Sequence, residues 1–198
     1  MRKTLLFILL IILFSGSIFL VFRFLDRKEK GNNMNESQVS SSAILGSQKE
    51  ASAAAFQKVR YVRIETSKGS FTIQLFPEET PKTVANFLKK ANSGYYQNLI
   101  FHRVENWVAQ GGDPMGNGTG GGNIATELSQ RPFEEGSVGV ARGGNINISN
   151  DSQFFVCTQD CSWLTGQYTN FGEVSEGMGI VKSLAVGDKI LKIEPLSQ

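Results

Sequence analysis

FHRVENWVAQGGDP, residues 101–114, carries the chain's only histidine, His102, directly before Arg103. A histidine next to an arginine invites a hydrolytic reading, with His102 as general base. The local pattern argues against it. In an extended stretch neighbouring side chains point to opposite faces, so Phe101 and Arg103 share one face and His102 turns away from the arginine. No serine, cysteine or aspartate is spaced to complete a nucleophilic triad. His102 is therefore read as a core or supporting residue.

Working outward, the apolar runs are short and punctuated by glycine: Leu99 to Val104, Trp107 to Gln110, Ser137 to Ala141, Gln153 to Thr158, Phe171 to Val174 and Ile190 to Ile193. Upstream, Val62 and Ile64 alternate with polar neighbours, Lys68-Gly69-Ser70 makes a turn, and Phe71, Ile73 and Leu75 alternate again. Period two on both sides of a glycine turn predicts a β-hairpin. Thr80-Pro81 has the form of an N-cap followed by proline in the first turn, and Val84, Phe87, Leu88 and Ala91 recur at helical spacing, so a short amphipathic helix is expected to end near Asn92 to Gly94. Met178, Val181, Lys182 and Ala185 allow a second. The expected class is mostly β, a closed or nearly closed antiparallel barrel with two flanking helices.

Gly111 to Gly122 is glycine-rich but lacks the G-K-[ST] ending, and no helical pattern follows, so both nucleotide fingerprints fail. These glycines are read as serving tight turns and close backbone approach. Cys157 and Cys161 are the only cysteines, too few for a disulfide framework. With one distant histidine they also fall short of four zinc ligands. They are read as buried or half-buried thiols, and no metal is expected.

The first 57 residues read differently. Residues 5–22, LLFILLIILFSGSIFLVF, hold no charge and match the length of a membrane-crossing helix. A secretory signal cut near Ser15-Gly16-Ser17 is the alternative, but the apolar run continues past that point. The expected order is a basic N-terminus over 1–4, a transmembrane signal anchor over 5–22, a flexible linker over 23–57 that is Asn-, Ser- and Ala-rich from Gly31 to Phe56, and a globular domain over 58–196. Arg2 and Lys3 before the span and Arg23, Arg27, Lys28 and Lys30 after it leave the charge count undecided on orientation, and the short basic N-terminus before an apolar segment, the form of an export signal, favours the domain outside the cytoplasm. Residues 1–57 carry seven Lys/Arg and four Asp/Glu, a net of +3, whereas 58–198 carry 13 and 14, a net of −1. The mild basicity thus lies beside the expected membrane segment, and the domain has none of the basic bias that a nucleic-acid partner requires.

FHRVENWVAQGGDPMGNGTGGG, with TPKTVANF before it and SQFFVCT, WLTGQYTNFGEV and EGMGIV after it in order, resembles the cyclophilins, the cyclophilin-type peptidyl-prolyl isomerases, over about residues 58–194. The resemblance implies an eight-stranded antiparallel β-barrel with two helices and a substrate groove on its outer surface. It implies that Arg103 is the catalytic arginine, with Gln110 orienting it. Trp107, Val108, Phe155 and Leu164 would form the proline pocket, and Ala141, Gln153 and Trp163 would line the groove, with Tyr168 where many relatives have histidine. It further implies proline-containing polypeptides as partners, cyclosporin-like cyclic peptides as ligands through Trp163, and no cofactor. A binding module of the same fold, gripping proline segments without turning them over, is the competing reading. The chain departs from the family in three places. Arg103 to Trp107 is one residue shorter than the common pattern, Trp107 replaces the usual phenylalanine, and Asn145 to Asp151 is slightly longer and is expected to reshape one groove wall.

Overall fold

Alternating burial along β1 (Tyr61–Thr66) and the buried Phe71, Ile73 and Leu75 of β2 (Gly69–Leu75) flank the tight turn at Ser67–Lys68 and define the first hairpin. The computed structural model describes residues 58–196. The expected membrane segment, 5–22, and the linker, 23–57, lie outside the described residues. Among those described, no helix is long and apolar enough to cross a membrane.

Helix α1 (Pro81–Asn92) follows, its buried residues Thr83, Val84, Phe87, Leu88 and Ala91 forming one face. Pro81 takes the first helical position as expected, but Thr80 does not cap: its hydroxyl donates to the Phe76 carbonyl at 3.1 Å. The carboxylate of Glu127, far along the chain, does the capping instead. It accepts the backbone N–H groups of Lys82 at 3.1 Å and Thr83 at 2.7 Å, together with the Thr83 hydroxyl at 2.8 Å. A charged acceptor at a helix start satisfies donors that the helix itself leaves unpaired.

Then come β3 (Phe101–Glu105), β4 (Val108–Gly111), β5 (Asn123–Ala125), β6 (Ser137–Arg142), β7 (Ile148–Cys157), β8 (Asn170–Glu176), α2 (Met178–Ser183) and β9 (Ile190–Leu196). Eight strands run in the order β3-β4-β7-β6-β8-β2-β1-β9, with short β5 attached to β7. Every pairing is antiparallel. The sheet curls so that its two ends meet: Ile100 bridges Lys189, and Phe101 N–H donates to the Asp188 carbonyl at 2.9 Å. The main core lies inside the curl, where Phe87 of α1 packs against Tyr96, Phe154 and Phe171.

Three expectations need correction. Strand β7 begins five residues before the expected Gln153, because Asn123, Ile124 and Ala125 pair with Asn150, Ser149 and Ile148. The lengthened Asn145–Asp151 stretch is thereby drawn into the sheet. Second, the pairing of β3 with β4 slips between Phe101 and Arg103, where two steps on β3 face one on β4. His102 is the extra residue of this bulge, which interrupts strict alternation. Phe101 enters the core while His102 and Arg103 both turn toward the outer surface, so the expectation that His102 faces away from the arginine fails. Third, Cys157 and Cys161 are not free thiols but a disulfide. Cys157 ends β7 and the chain reverses through Gln159 and Asp160 into a 3₁₀ turn at Ser162–Leu164, leaving the two Cα atoms 6.3 Å apart, within disulfide reach.

Candidate functional site

The outer face of β3, β4, β6 and β7 carries a cleft of about 380 Å³. Eight of the ten residues singled out from the sequence line it: Arg103, Trp107, Val108, Gln110, Ala141, Phe155, Leu164 and Tyr168. Gln153 lines an adjoining cleft of about 360 Å³. Trp163 stands at the rim, 54% exposed and edge-on to Trp107 with ring centroids 5.5 Å apart.

The shortened Arg103–Trp107 segment closes as a two-residue turn of Asn106 and Trp107, with Glu105 opposite Val108. Trp107 therefore reaches the cleft from the turn itself. Its carbonyl accepts the Thr158 N–H at 2.9 Å, tying the turn to the end of β7. Beneath, Val108, Phe133, Phe155, Leu164 and the disulfide form a small apolar cluster separate from the main core. Gly139 is what lets Phe155 lie there: a Cβ at that position would overlap the Phe155 ring. Phe155 stacks on Phe133 at 5.8 Å and meets Tyr168 edge-on.

Arg103 is held on its outer side. Its Nε donates to Glu105 Oε1 at 2.7 Å and Nη2 to Oε2 at 3.2 Å, while Trp107 Nε1 donates to the same carboxylate at 3.0 Å. The hydrogen bonds from Arg103 hold the Glu105 carboxyl below its ordinary value. The guanidinium also lies 5.0 Å from the Trp107 ring centroid. Nη1 faces Gln110 Oε1 across a long 3.5 Å contact, so this end stays available to a ligand. Gln110 Nε2 donates to Gln153 Oε1 at 2.9 Å, and buried Gln153 donates in turn to the carbonyls of Gly118 and Gly120. A chain of amides thus fixes Gln110 from behind.

The glycine-rich loop is structural, as read. Gly112 has φ +82°, and a Cβ there would collide with the Ser152 carbonyl. Asp113 anchors the loop. Burial pushes its carboxyl up, but the N–H groups of Met115, Gly118 and Asn117 more than offset this and leave it below the usual carboxylate range. His102 lines the cleft beside Arg103 with neither ring nitrogen hydrogen-bonded among the described residues. Burial holds its pKa down, Asp113 opposes this in part, and Arg103 adds to it. Among the described residues, no group of three or more His, Cys, Asp or Glu is placed to hold a metal ion.

Sequence reasoning missed Glu105, His102 as a lining residue, and Arg142. Glu105 was readable, since residues two apart on a strand share a face with Arg103. His102 and Arg142 were not, because each reaches the cleft through a register slip.

Residues 61–197 match the family described as cyclophilin type peptidyl-prolyl cis-trans isomerase/CLD. A peptidyl-prolyl cis-trans isomerase of Synechococcus elongatus is 39% identical over 136 residues, 66% of this chain and 92% of that protein. One from Helicobacter pylori is 41% identical over 138 residues, 67% of this chain and 82% of that protein. Peptidyl-prolyl cis-trans isomerase 9 of Schizosaccharomyces pombe is 41% identical over 136 residues, although the match spans only 22% of its length. A crystal structure of a Cryptosporidium parvum cyclophilin type isomerase, determined in the presence of the dipeptide Ala-Pro, superposes with a TM-score of 0.65 at 30% identity, covering 70% of this chain and 99% of that one. The chain belongs to the cyclophilin-type peptidyl-prolyl cis-trans isomerases, in sequence and in fold.

Proposed function

We propose that the protein accelerates rotation about X-Pro peptide bonds in unfolded or exported polypeptides, with Arg103 stabilising the twisted imide. The observation that carries this reading is the meeting, in one open cleft, of an incompletely hydrogen-bonded guanidinium and an apolar pocket of Trp107, Val108, Phe155 and Leu164.

The barrier to rotation is about 18–20 kcal/mol and arises from amide resonance, which makes uncatalysed exchange take roughly tens to hundreds of seconds. No bond is made or broken. As the bond twists, the prolyl nitrogen regains its lone pair and becomes an acceptor. A guanidinium is always charged and only donates, so it favours the twisted state over the planar one. A differential interaction of about 3–4 kcal/mol gives roughly a few hundredfold in rate. The apolar pocket seats the pyrrolidine ring and excludes water, Gln110 orients the substrate carbonyl and Arg103, and Glu105 holds the guanidinium in place before substrate arrives, so little reorganisation is needed during the reaction.

Ala141, Gln153, Trp163 and Tyr168 would line the path of the flanking chain, and exposed Trp163 supports acceptance of cyclosporin-like cyclic peptides. The apolar stretch 5–22 supports a single-pass membrane anchor with the domain outside the cytoplasm. Arg103→Ala in the full chain is expected to lower kcat/KM on an Ala-Pro peptide at least about tenfold with an unchanged circular dichroism spectrum. Equal activity in the two proteins would remove the arginine mechanism. NMR exchange between cis and trans peptide signals separates this reading from a non-catalytic binding module, which would shift peaks without speeding interconversion.

A further inference from the structure

The cleft and its neighbour share four lining residues, Gln110, Gly118, Ala141 and Arg142. They are therefore two halves of one longer trough, with Arg142 on the ridge between them. Arg142 closes β6, where the pairing with β7 slips between Val140 and Arg142. This bulge is why Ala141 and Arg142, adjacent in sequence, both face the trough.

The Arg142 guanidinium is held in place without being neutralised. Nε donates to the Gln167 carbonyl at 2.8 Å and Nη1 to the Gly143 carbonyl at 2.8 Å, and the group lies 4.4 Å from the Tyr168 ring centroid. These bonds engage two of the five N–H donors that a guanidinium carries, so three remain. Among the described residues no carboxylate forms an ion pair with it, in contrast to Arg103, which Glu105 neutralises. No aspartate or glutamate lines either half of the trough. Around Arg142 the second half offers Asn123, Asn145, Asn150 and Ser149, which are uncharged and hydrogen-bonding. Gly143 and Gly144 leave the approach open, with nothing within 4 Å of either position's missing side chain.

We propose that Arg142 sets substrate specificity by selecting proline segments that carry a carboxylate side chain on a residue flanking the proline. This rests on the isomerase reading above: with proline seated between Arg103 and Phe155, the flanking chain crosses the ridge and brings its side chain to the unpaired guanidinium. A planar fork fixed by two carbonyls and an aromatic face is already set for a carboxylate, so little side-chain entropy is lost on binding. Lysine at the same substrate position would meet a like charge with no acid nearby to relieve it.

The test uses the full chain and an Ala-Ala-Pro-Phe peptide series with Glu, Gln or Lys at each residue flanking proline. Both kcat/KM by NMR exchange and Kd by fluorescence titration are read as Glu-to-Gln ratios, so any general change in the enzyme cancels. The wild type is expected to prefer Glu about three- to tenfold at one flank, with the preference fading in high salt. The ratio should fall to about one in Arg142→Ala, lie between in Arg142→Lys, and invert in Arg142→Glu. Equal Glu and Gln values at both flanks in the wild type would overturn the proposal, as would a preference surviving in Arg142→Ala with native circular dichroism. If no peptide is turned over, the isomerase reading fails, and the Kd ratios still decide the role of Arg142.

Discussion

Phe154 and Phe155 are adjacent on β7, equally aromatic and nearly equally hidden, yet they belong to different parts of the molecule. Phe154 points into the curl, against Phe87, Tyr96 and Phe101. Phe155 points outward into the small cluster under the cleft, against Phe133 and Tyr168. The first surroundings are the main buried core. The second end at an open pocket whose walls include half-buried Trp107 and Tyr168. One strand with period two thus serves two masters: one face stabilises the fold, and the other builds the surface on which proline would sit. An aromatic residue's burial alone does not reveal which.

The largest expected effect is on the inner face. Phe154→Ala should destabilise the protein by about 3–5 kcal/mol, measured by urea denaturation, because the tightly packed main core only partly collapses around the lost ring. Phe155→Ala should cost clearly less stability while lowering kcat/KM about tenfold or more. The contrast breaks if the two variants lose stability equally, or if Phe154→Ala proves stable and selectively inactive. Next in size is the disulfide under the cleft. It closes a short loop, so reducing it should lower stability by about 2 kcal/mol in the same denaturation measurement; an unchanged midpoint would mean that the outer cluster holds without its covalent tie.

The smallest expected effect is on pH. The folded-state pKa of His102 lies below its unfolded value, so the fold favours the neutral ring. That contribution is fully present above about pH 6.5 and is lost as pH falls through the folded pKa. The Asp113 carboxyl is also depressed, and its contribution goes at lower pH still. Thermal melts should therefore show a mild decline below about pH 6.5 that His102→Gln abolishes, followed by a steeper one that it does not. A first decline surviving in that variant would assign the titration elsewhere.

What could be read in advance follows the same division. The first hairpin and α1 announce themselves through regular spacing of apolar residues, and β3, β4, β6, the second half of β7, β8 and β9 through short apolar runs between glycines. Strand β5 does not, since Asn123-Ile124-Ala125 offers a single large apolar residue, and the first half of β7, ISNDS, has no apolar alternation. Arg103, Gln110 and the pocket residues came from ordered motifs rather than from spacing, and the cleft gathers eight of the ten. The misreading of His102 has a definite cause: alternation is a rule about paired strands in register, and a bulge is a point where register is lost.

Glu127 reaches back 44 residues to Thr83, and so ties the opening turn of α1 to a segment made much later. As the chain leaves the ribosome, the amides of Lys82 and Thr83 must stay hydrated until that glutamate arrives. In the finished protein, the rate at which those two amides trade hydrogen for deuterium is a gauge of how firmly the segment around Glu127 is seated.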